Sequence, residues 1–495
     1  MGKYISPVSE SIKSRTTILT RFANNTVAFA LCLFSCQGFS AGLVVNDRSL
    51  RDDLAWLSDR KLIHLDLSTW PLSENEIQNA LLTLRSSQDP VNLRIIHRIH
   101  KRLQQLKSSV QGSAFAATGR NALPAGMGTE HTAGLSLSTA INMNDNYWDI
   151  TLKGNGERRQ WIADASSVNP NGSYAALRLA NQWLSFGEIP QWWGPGNDAS
   201  LLRSDSARPV VGLMMQRDEQ HPFESPWLAW LGAWQYQIFT GQVRQYSGPE
   251  QPKLSGARVA FTPGNTLELA LSRVIMWGGK GRPENYASLR DALFGQDNTG
   301  NQKSDPGDQL GGIDFRVHLA SLFDIPVSVY GQVVGDDEAG FLPSHNTWLG
   351  GIEGHNVAGN NQINWTLEAA DTRSQMKETG IIYYHYCYHG GFYQQGWPLA
   401  DAMGGDGTQY SARVEWVFEN DQRLSLRGVT TRLNRTSQSF NQAYPRNETL
   451  KGVETVWQTP FNNVVTVSSG AWFSYSDRGS HDAGLQLHVF LYSEP

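Results

Sequence analysis

The stretch IDFRVHLASLFDIPVSVYGQVV, residues 313–334, decides the fold. Ile313, Phe315, Val317 and Leu319 alternate with Asp314, Arg316 and His318, so an extended chain puts an apolar set on one face and a charged set on the other. A short turn-like link at 322–326 then reverses the chain into a second extended run, 326–334. This is a hairpin with one apolar and one polar face.

The same pattern recurs from about residue 108 to the end. GLSLSTAI places Leu135, Leu137 and Ile141 on one face, and GLQLHVFLY does so with Leu485, Leu487, Val489 and Leu491. Short links recur at 144–146, 181–182, 262–266, 356–361, 419–421 and 460–463, and alternate with long irregular ones such as 277–310 and 372–408. Strands of roughly ten residues joined by alternating short turns and long loops are the pattern of a bacterial outer-membrane barrel. Between 109 and 492 the reading gives eighteen antiparallel strands, an even number that leaves both chain ends in the periplasm. No segment after the N-terminal leader is long and apolar enough for a transmembrane helix.

The segments before the barrel differ. Lys13, Arg15 and Arg21 precede the apolar run TVAFALCLFSC (26–36), which suits a secretory signal, with Gly38 and Ser40 allowing cleavage before Ala41. A lipoprotein site at Cys36 is the alternative, although Phe34 is bulky for it. Cleavage leaves Cys387 alone in the mature chain, so no internal disulfide is expected. Residues 43–107 carry helical spacing: Leu50, Leu54 and Leu57; then Ile77, Ala80, Leu81 and Leu84 after the capping-box pattern SENE (73–76); then Ile95, Ile99, Leu103 and Leu106 after Pro90. The expected organisation is a signal at 1–40, a periplasmic helical domain at 41–107, and a barrel with long extracellular loops at 108–495.

Composition agrees with a β protein: 47 of 495 residues are Gly, 11% are aromatic and 18% charged. The net charge of −5 gives no reason to expect nucleic acid. Strand parity makes QWWGPG (191–196) the start of an outer loop, with Trp192 and Trp193 near the mouth, either as interface anchors or as platforms in a loop plug.

Four segments in order, GLVVNDRSLRDDLAWLSDRKLIHLDLSTWPLS (42–73), NQWLSFGEIPQWWGPG (181–196), GFLPSHNTWLGGIEGH (340–355) and GGFYQQGWPLADAMGGDG (390–407), resemble the Wzi family of outer-membrane capsule-attachment lectins. The resemblance runs from about Gly42 to the C-terminus and departs in a longer leader and in the ending YSEP. It implies an eighteen-stranded barrel with a periplasmic helical domain that binds capsular polysaccharide without catalysis.

No His-Glu-x-x-His, Gly-x-Ser-x-Gly or Cys-x-x-Cys is present, and GPGNDA (194–199) lacks the βαβ context that a dinucleotide site needs. Asp401, Asp406, His385 and His389 share one loop and form either an acid/base or metal set or a backbone turn network. Sugars present hydroxyl edges and weakly apolar faces, so a site wants aromatic rings beside planar polar groups, and acidic capsules add a need for cations. The candidate polysaccharide contacts are Trp192, Trp193, Arg203, Lys280, Arg282, Arg373, Lys377, Tyr393 and Trp397. Tyr383, Tyr384, Tyr386, Tyr388, Phe392, Tyr286, Arg208, Arg290 and Lys303 lie in the same loops. Cationic loop residues also suit lipopolysaccharide phosphates. The expected partners are capsular polysaccharide, outer-membrane lipids and lipopolysaccharide; the chain is read as a monomer with no cofactor, no metal and no nucleic acid. A porin or saccharide channel and a polysaccharide-modifying enzyme are the competing readings.

Overall fold

The computed structural model describes residues 42–84, 89–162, 166–264, 266–293, 307–339, 342–374 and 381–494. The expected signal segment 1–40, with Cys32 and Cys36, and the loop lysines Lys303 and Lys377 lie outside the described residues.

Alternation becomes a closed barrel of eighteen antiparallel strands. In chain order these are β1 (Val110–Ala117), β2 (Ala133–Asn144), β3 (Trp148–Gln160), β4 (Tyr174–Leu179), β5 (Gln182–Gly187), β6 (Val211–Arg217), β7 (Ala233–Gln242), β8 (Lys253–Thr262) and β9 (Leu267–Trp277). They continue as β10 (Gly307–His318), β11 (Val327–Ala339), β12 (Leu342–Ala358), β13 (Asn361–Asp371), β14 (Thr408–Val417), β15 (Arg423–Leu433), β16 (Glu448–Pro460), β17 (Val465–Ser476) and β18 (His481–Tyr492). The last strand closes on the first, Tyr492 opposite Gln111 and Gln486 opposite Ala117, so no sheet edge is left unpaired.

The two faces are inverted relative to a water-soluble sheet. Leu137, Leu271, Ile313, Leu367 and Leu485 are exposed on the outer surface, where lipid meets them. Their polar neighbours point inward and are buried, as Asp314, Arg316 and His318 are on β10. Burial of those charges is sustainable because they are paired. Arg258 on β8 holds both oxygens of Asp314 at 2.6 and 2.9 Å in a fork geometry that matches a carboxylate.

The N-terminal region packs into this lumen. Helices α1 (Arg48–Ser58), α2 (Glu74–Leu82) and α3 (Pro90–Leu106) bury Leu50, Leu54, Leu57, Ile77, Ile95, Ile99 and Leu103 in a common core. Asp47 caps α1 by accepting from the Leu50 amide at 2.8 Å, and Asp89 caps α3 ahead of Pro90 by accepting from Val91 at 2.8 Å. Ser73 occupies the cap position of α2, yet its hydroxyl donates to Asp218 instead, so the SENE pattern does not form its reciprocal bonds. A tertiary charge there outcompetes the local cap. Residues 41–495 form one compact unit, with the helix-to-strand change between Leu106 and Val110.

Two links differ from the sequence reading. The link 218–232 on the periplasmic side is long where its counterparts are short, because Trp227, Leu228 and Trp230 continue an apolar run without entering the sheet. Conversely, β11 and β12 stay paired out to Ala339 opposite Leu342, past the strand end read at 334.

Candidate functional site

The tryptophan loop does not stay at the mouth. After β5 the chain turns inward, and Trp192–Trp193 pairs as a short antiparallel strip with Thr69–Trp70 of the helical region. Both indoles are buried, at 1% and 0% exposure, so neither is an interface anchor and neither offers a face to solvent. Trp193 donates its indole N–H to Gln237 Oε1 on β7 at 2.5 Å, and its backbone amide to the Arg203 carbonyl at 3.0 Å. Gly194, at φ 148°, follows directly; a Cβ there would stand 2.9 Å from Gln332 Oε1 on β11. Buried aromatic payload, not display, explains the two tryptophans.

Arg203 belongs to the same interior. It donates to Gln191 Oε1 at 3.2 Å and to the Leu399 carbonyl at 3.3 Å, and burial pulls its guanidinium down to about 10. Loop 372–407 forms the roof above it. Tyr393–Gln394 and Trp397–Pro398 pair as a small hairpin, and Tyr383 donates to the Leu201 carbonyl at 2.7 Å. Trp397 sits edge-on to His131 at 5.0 Å, with the Arg120 guanidinium 5.1 Å from its ring centre. The buried Tyr393 oxygen accepts from the Gly405 amide at 3.0 Å, and burial pushes its phenol up. Trp193, Arg203, Tyr393 and Trp397 are therefore brought together, as the packed core of the loop plug.

The carboxylates of this loop serve its backbone. Asp401 accepts from the Met403 amide at 3.0 Å and Asp406 from the Thr436 amide at 2.6 Å, and both are buried. Burial, the largest influence, pushes Asp401 up to about 7. The turn-network reading of these residues is the one their hydrogen bonds fit.

Residues that do meet solvent form a different set. Lys280 is exposed and paired with Glu250 at 3.0 Å; Arg373 is half-exposed and fork-bonded to Asp371. Arg282 lies over the Tyr388 ring at 4.9 Å. From Tyr388 the rings run on: His385 at 6.0 Å, then Tyr386 at 4.4 Å from His385, while Tyr384 stacks on Phe440 at 5.2 Å. Tyr384, His385 and Tyr386 are partly exposed and His389 is exposed. Tyr384, His385 and Tyr386 are consecutive in YYHYCYH (383–389), so no alternation in the sequence marks them as outward. Arg208, by contrast, is largely buried against Glu157, while Arg290 is exposed and paired with Asp291. The outer end of the barrel is thus a buried aromatic plug that carries a basic and aromatic surface.

A family model for the capsule assembly protein Wzi matches residues 101–487. The chain belongs to the Wzi family. A Klebsiella pneumoniae protein described as an uncharacterized 55.8 kDa protein in the cps region is 45% identical over 473 residues, 94% of each chain. The solved Wzi of Escherichia coli is 43% identical, with a TM-score of 0.86 over 92% of this chain and 100% of that one. That Wzi is described as an outer-membrane protein involved in group 1 capsule assembly and a carbohydrate-binding β-barrel. The closed barrel described above is the Wzi-family architecture, and this chain is an outer-membrane barrel.

Proposed function

We propose that this protein is a lectin that binds capsular polysaccharide at the cell surface and anchors or organises the capsule without catalysing a reaction. The observation that carries the reading is the partly exposed set Arg282, His385 and Tyr386, seated on the buried Tyr388 ring, in which a guanidinium and tilted rings succeed one another across two outer loops. Rings take the apolar faces of sugars, and guanidinium takes hydroxyls or the carboxylates of an acidic repeat. Lys280, Arg373 and Lys377 belong to the proposed contact set by virtue of their loops. Trp192, Trp193, Arg203, Tyr393 and Trp397 act on the polymer by holding those loops in place. Lipopolysaccharide and lipid are the expected surroundings of a monomer.

The test is co-sedimentation of the purified protein, in detergent, with capsule polymer from the same strain. Polymer recovered at constant size supports a lectin. Shortened polymer would support an enzyme, and no recovery at low ionic strength would remove the reading.

A further inference from the structure

The lumen is filled unevenly. Strands β8 to β13 send long side chains inward that lock onto one another or onto the helical region: Arg258 to Asp314, Arg316 to Glu353, and His318 to Asp59 at 2.7 Å. Across the barrel, Ser425, Gln458, Ser468 and Gln486 of β15 to β18 face a cavity of about 280 Å³ that separates them from α1. Pockets for small ligands commonly span roughly 300–1,000 Å³, so this space stands at the small end and suits a saccharide of one or two rings.

Its lining has two kinds of surface. One is an aromatic wall rare in a lumen: His488 and Phe490 of β18 lie with ring centres 3.9 Å apart, and Phe115 of β1 is 5.5 Å from His488. The other is polar and charge-balanced. Arg102 pairs with Asp47 at 2.6 Å, Arg48 with Asp52 at 3.2 Å and Arg427 with Glu454 at 3.2 Å. Two buried polar atoms of the lining, Asn46 Oδ1 and Arg413 Nε, have no hydrogen-bond partner among the described residues. A ligand that suits this lining has an apolar ring face, many hydroxyls that both donate and accept, and little net charge, because the cations are already neutralised. A cleft that shares Ser49, Arg102 and Gln458 with the cavity continues to Asp421 and Pro460 beside the periplasmic turns.

We propose that this cavity is a second saccharide site, inside the barrel, for a neutral or weakly charged mono- or disaccharide entering from the periplasmic end. It extends the carbohydrate-binding reading above but uses none of the loop residues assigned there. Size excludes a polymer coil, so the two sites are separable by ligand length.

Ser468→Cys and, independently, Ser425→Cys place a thiol on the cavity wall of the full chain with little change in volume. The native Cys387 is buried, and the parent protein provides its background. Thiol modification by a small cationic methanethiosulfonate is followed in detergent, with and without mono- and disaccharide fragments cut from the strain's capsule. The expected result is modification of both variants that fragments slow severalfold, while intact polymer does not. Protection must persist in a Lys280→Ala/Arg282→Ala background. Modification at an unchanged rate with fragments present means a water-filled lumen only and overturns the proposal. So does failure of both thiols to react, and so does protection that vanishes with the loop substitutions. Protection by fragments in a protein that fails to sediment with polymer would leave the lumenal site standing and remove the surface lectin.

Discussion

Asp53 of α1 meets Arg423 of β15 at 2.6 Å, and the same carboxylate is gripped from α3 by Arg98 at 2.6 Å. All three side chains are largely removed from water, so the carboxylate holds together a helix and a wall that each bring a positive charge. Asp53→Ala leaves two guanidiniums facing each other, with Glu415 the remaining partner of Arg423 at 3.0 Å. Breaking one member of a buried ion cluster costs about 3–5 kcal/mol. Thermal unfolding in detergent should show a clear drop in midpoint for Asp53→Ala. Adding Arg423→Ala should cost less than the two single effects summed, because the pair is coupled. Additive losses would mean the contact does not link insert and wall.

A second expectation concerns pH and loop 372–407. Asp401 is held at about 7 in the folded loop, chiefly by burial, against roughly 3.9 in an unfolded chain. The folded state therefore keeps a proton that the unfolded state releases. Its stabilising contribution is full below about pH 4 and is lost as pH rises through 7. Loop stability, read by protease sensitivity of the inserted protein, should fall between pH 5 and 8. Asp401→Asn should flatten that profile and protect the loop at pH 8 by a few kcal/mol at most. An unchanged slope in Asp401→Asn would place the titrating group elsewhere.

Much of this architecture is legible in the sequence for a single reason. Lipid outside and polar partners inside force period-2 alternation on every spanning strand, and residues 313–334 carry it in full. The link 218–232 departs from the alternation of short and long links because an apolar run beside a membrane need not be strand; Trp227, Leu228 and Trp230 are exposed outside the sheet. Trp192 and Trp193 were legible as loop residues, but their pairing with Thr69–Trp70 joins segments more than a hundred positions apart. Local pattern carries no trace of such a contact. The candidate site fared accordingly: residue types in loops 278–306 and 372–407 could be read, whereas which rings turn outward depends on packing between loops.

The link 218–232 leads to a prediction of its own. Trp227 is 87% exposed and Trp230 68%, next to Phe223, which stacks on the outward-facing Trp234 at 4.7 Å. Continuity with the lipid-facing wall puts these rings at the inner-leaflet interface, where indoles partition well. In proteoliposomes, lipids brominated near the headgroup should quench part of the tryptophan emission, and Trp227→Ser/Trp230→Ser should reduce the quenchable fraction. Equal quenching in parent and variant would show that this link stands off the membrane.

Conduction should be low. Trp56, Trp70, Trp192 and Trp193 are fully buried within the lumen-filling cores, and the outer loops add a second packed layer. In planar bilayers the intact protein should give no large steady steps of the kind open sixteen- to eighteen-stranded porins give. Such steps would favour the channel reading over the lectin.

The final prediction separates residues that touch polymer from residues that hold the loops. Lys280→Ala/Arg282→Ala and Tyr384→Ala/Tyr386→Ala remove charge or rings from the outer surface while leaving the buried plug intact. Each pair should release capsule into the medium with normal capsule synthesis and normal amounts of inserted protein. The loss should exceed what single contacts would give, because a repeating polymer engages many barrels and each later contact forms at raised effective concentration. Trp192→Ala should act differently: truncating a buried tryptophan costs about 3–5 kcal/mol, so the amount of heat-resistant, folded barrel should fall along with capsule retention. Retention normalised to folded protein then decides the matter. A normal ratio for the surface pairs would move the polymer site away from loops 278–306 and 372–407, and a low ratio for Trp192→Ala would return the tryptophan loop to the binding surface.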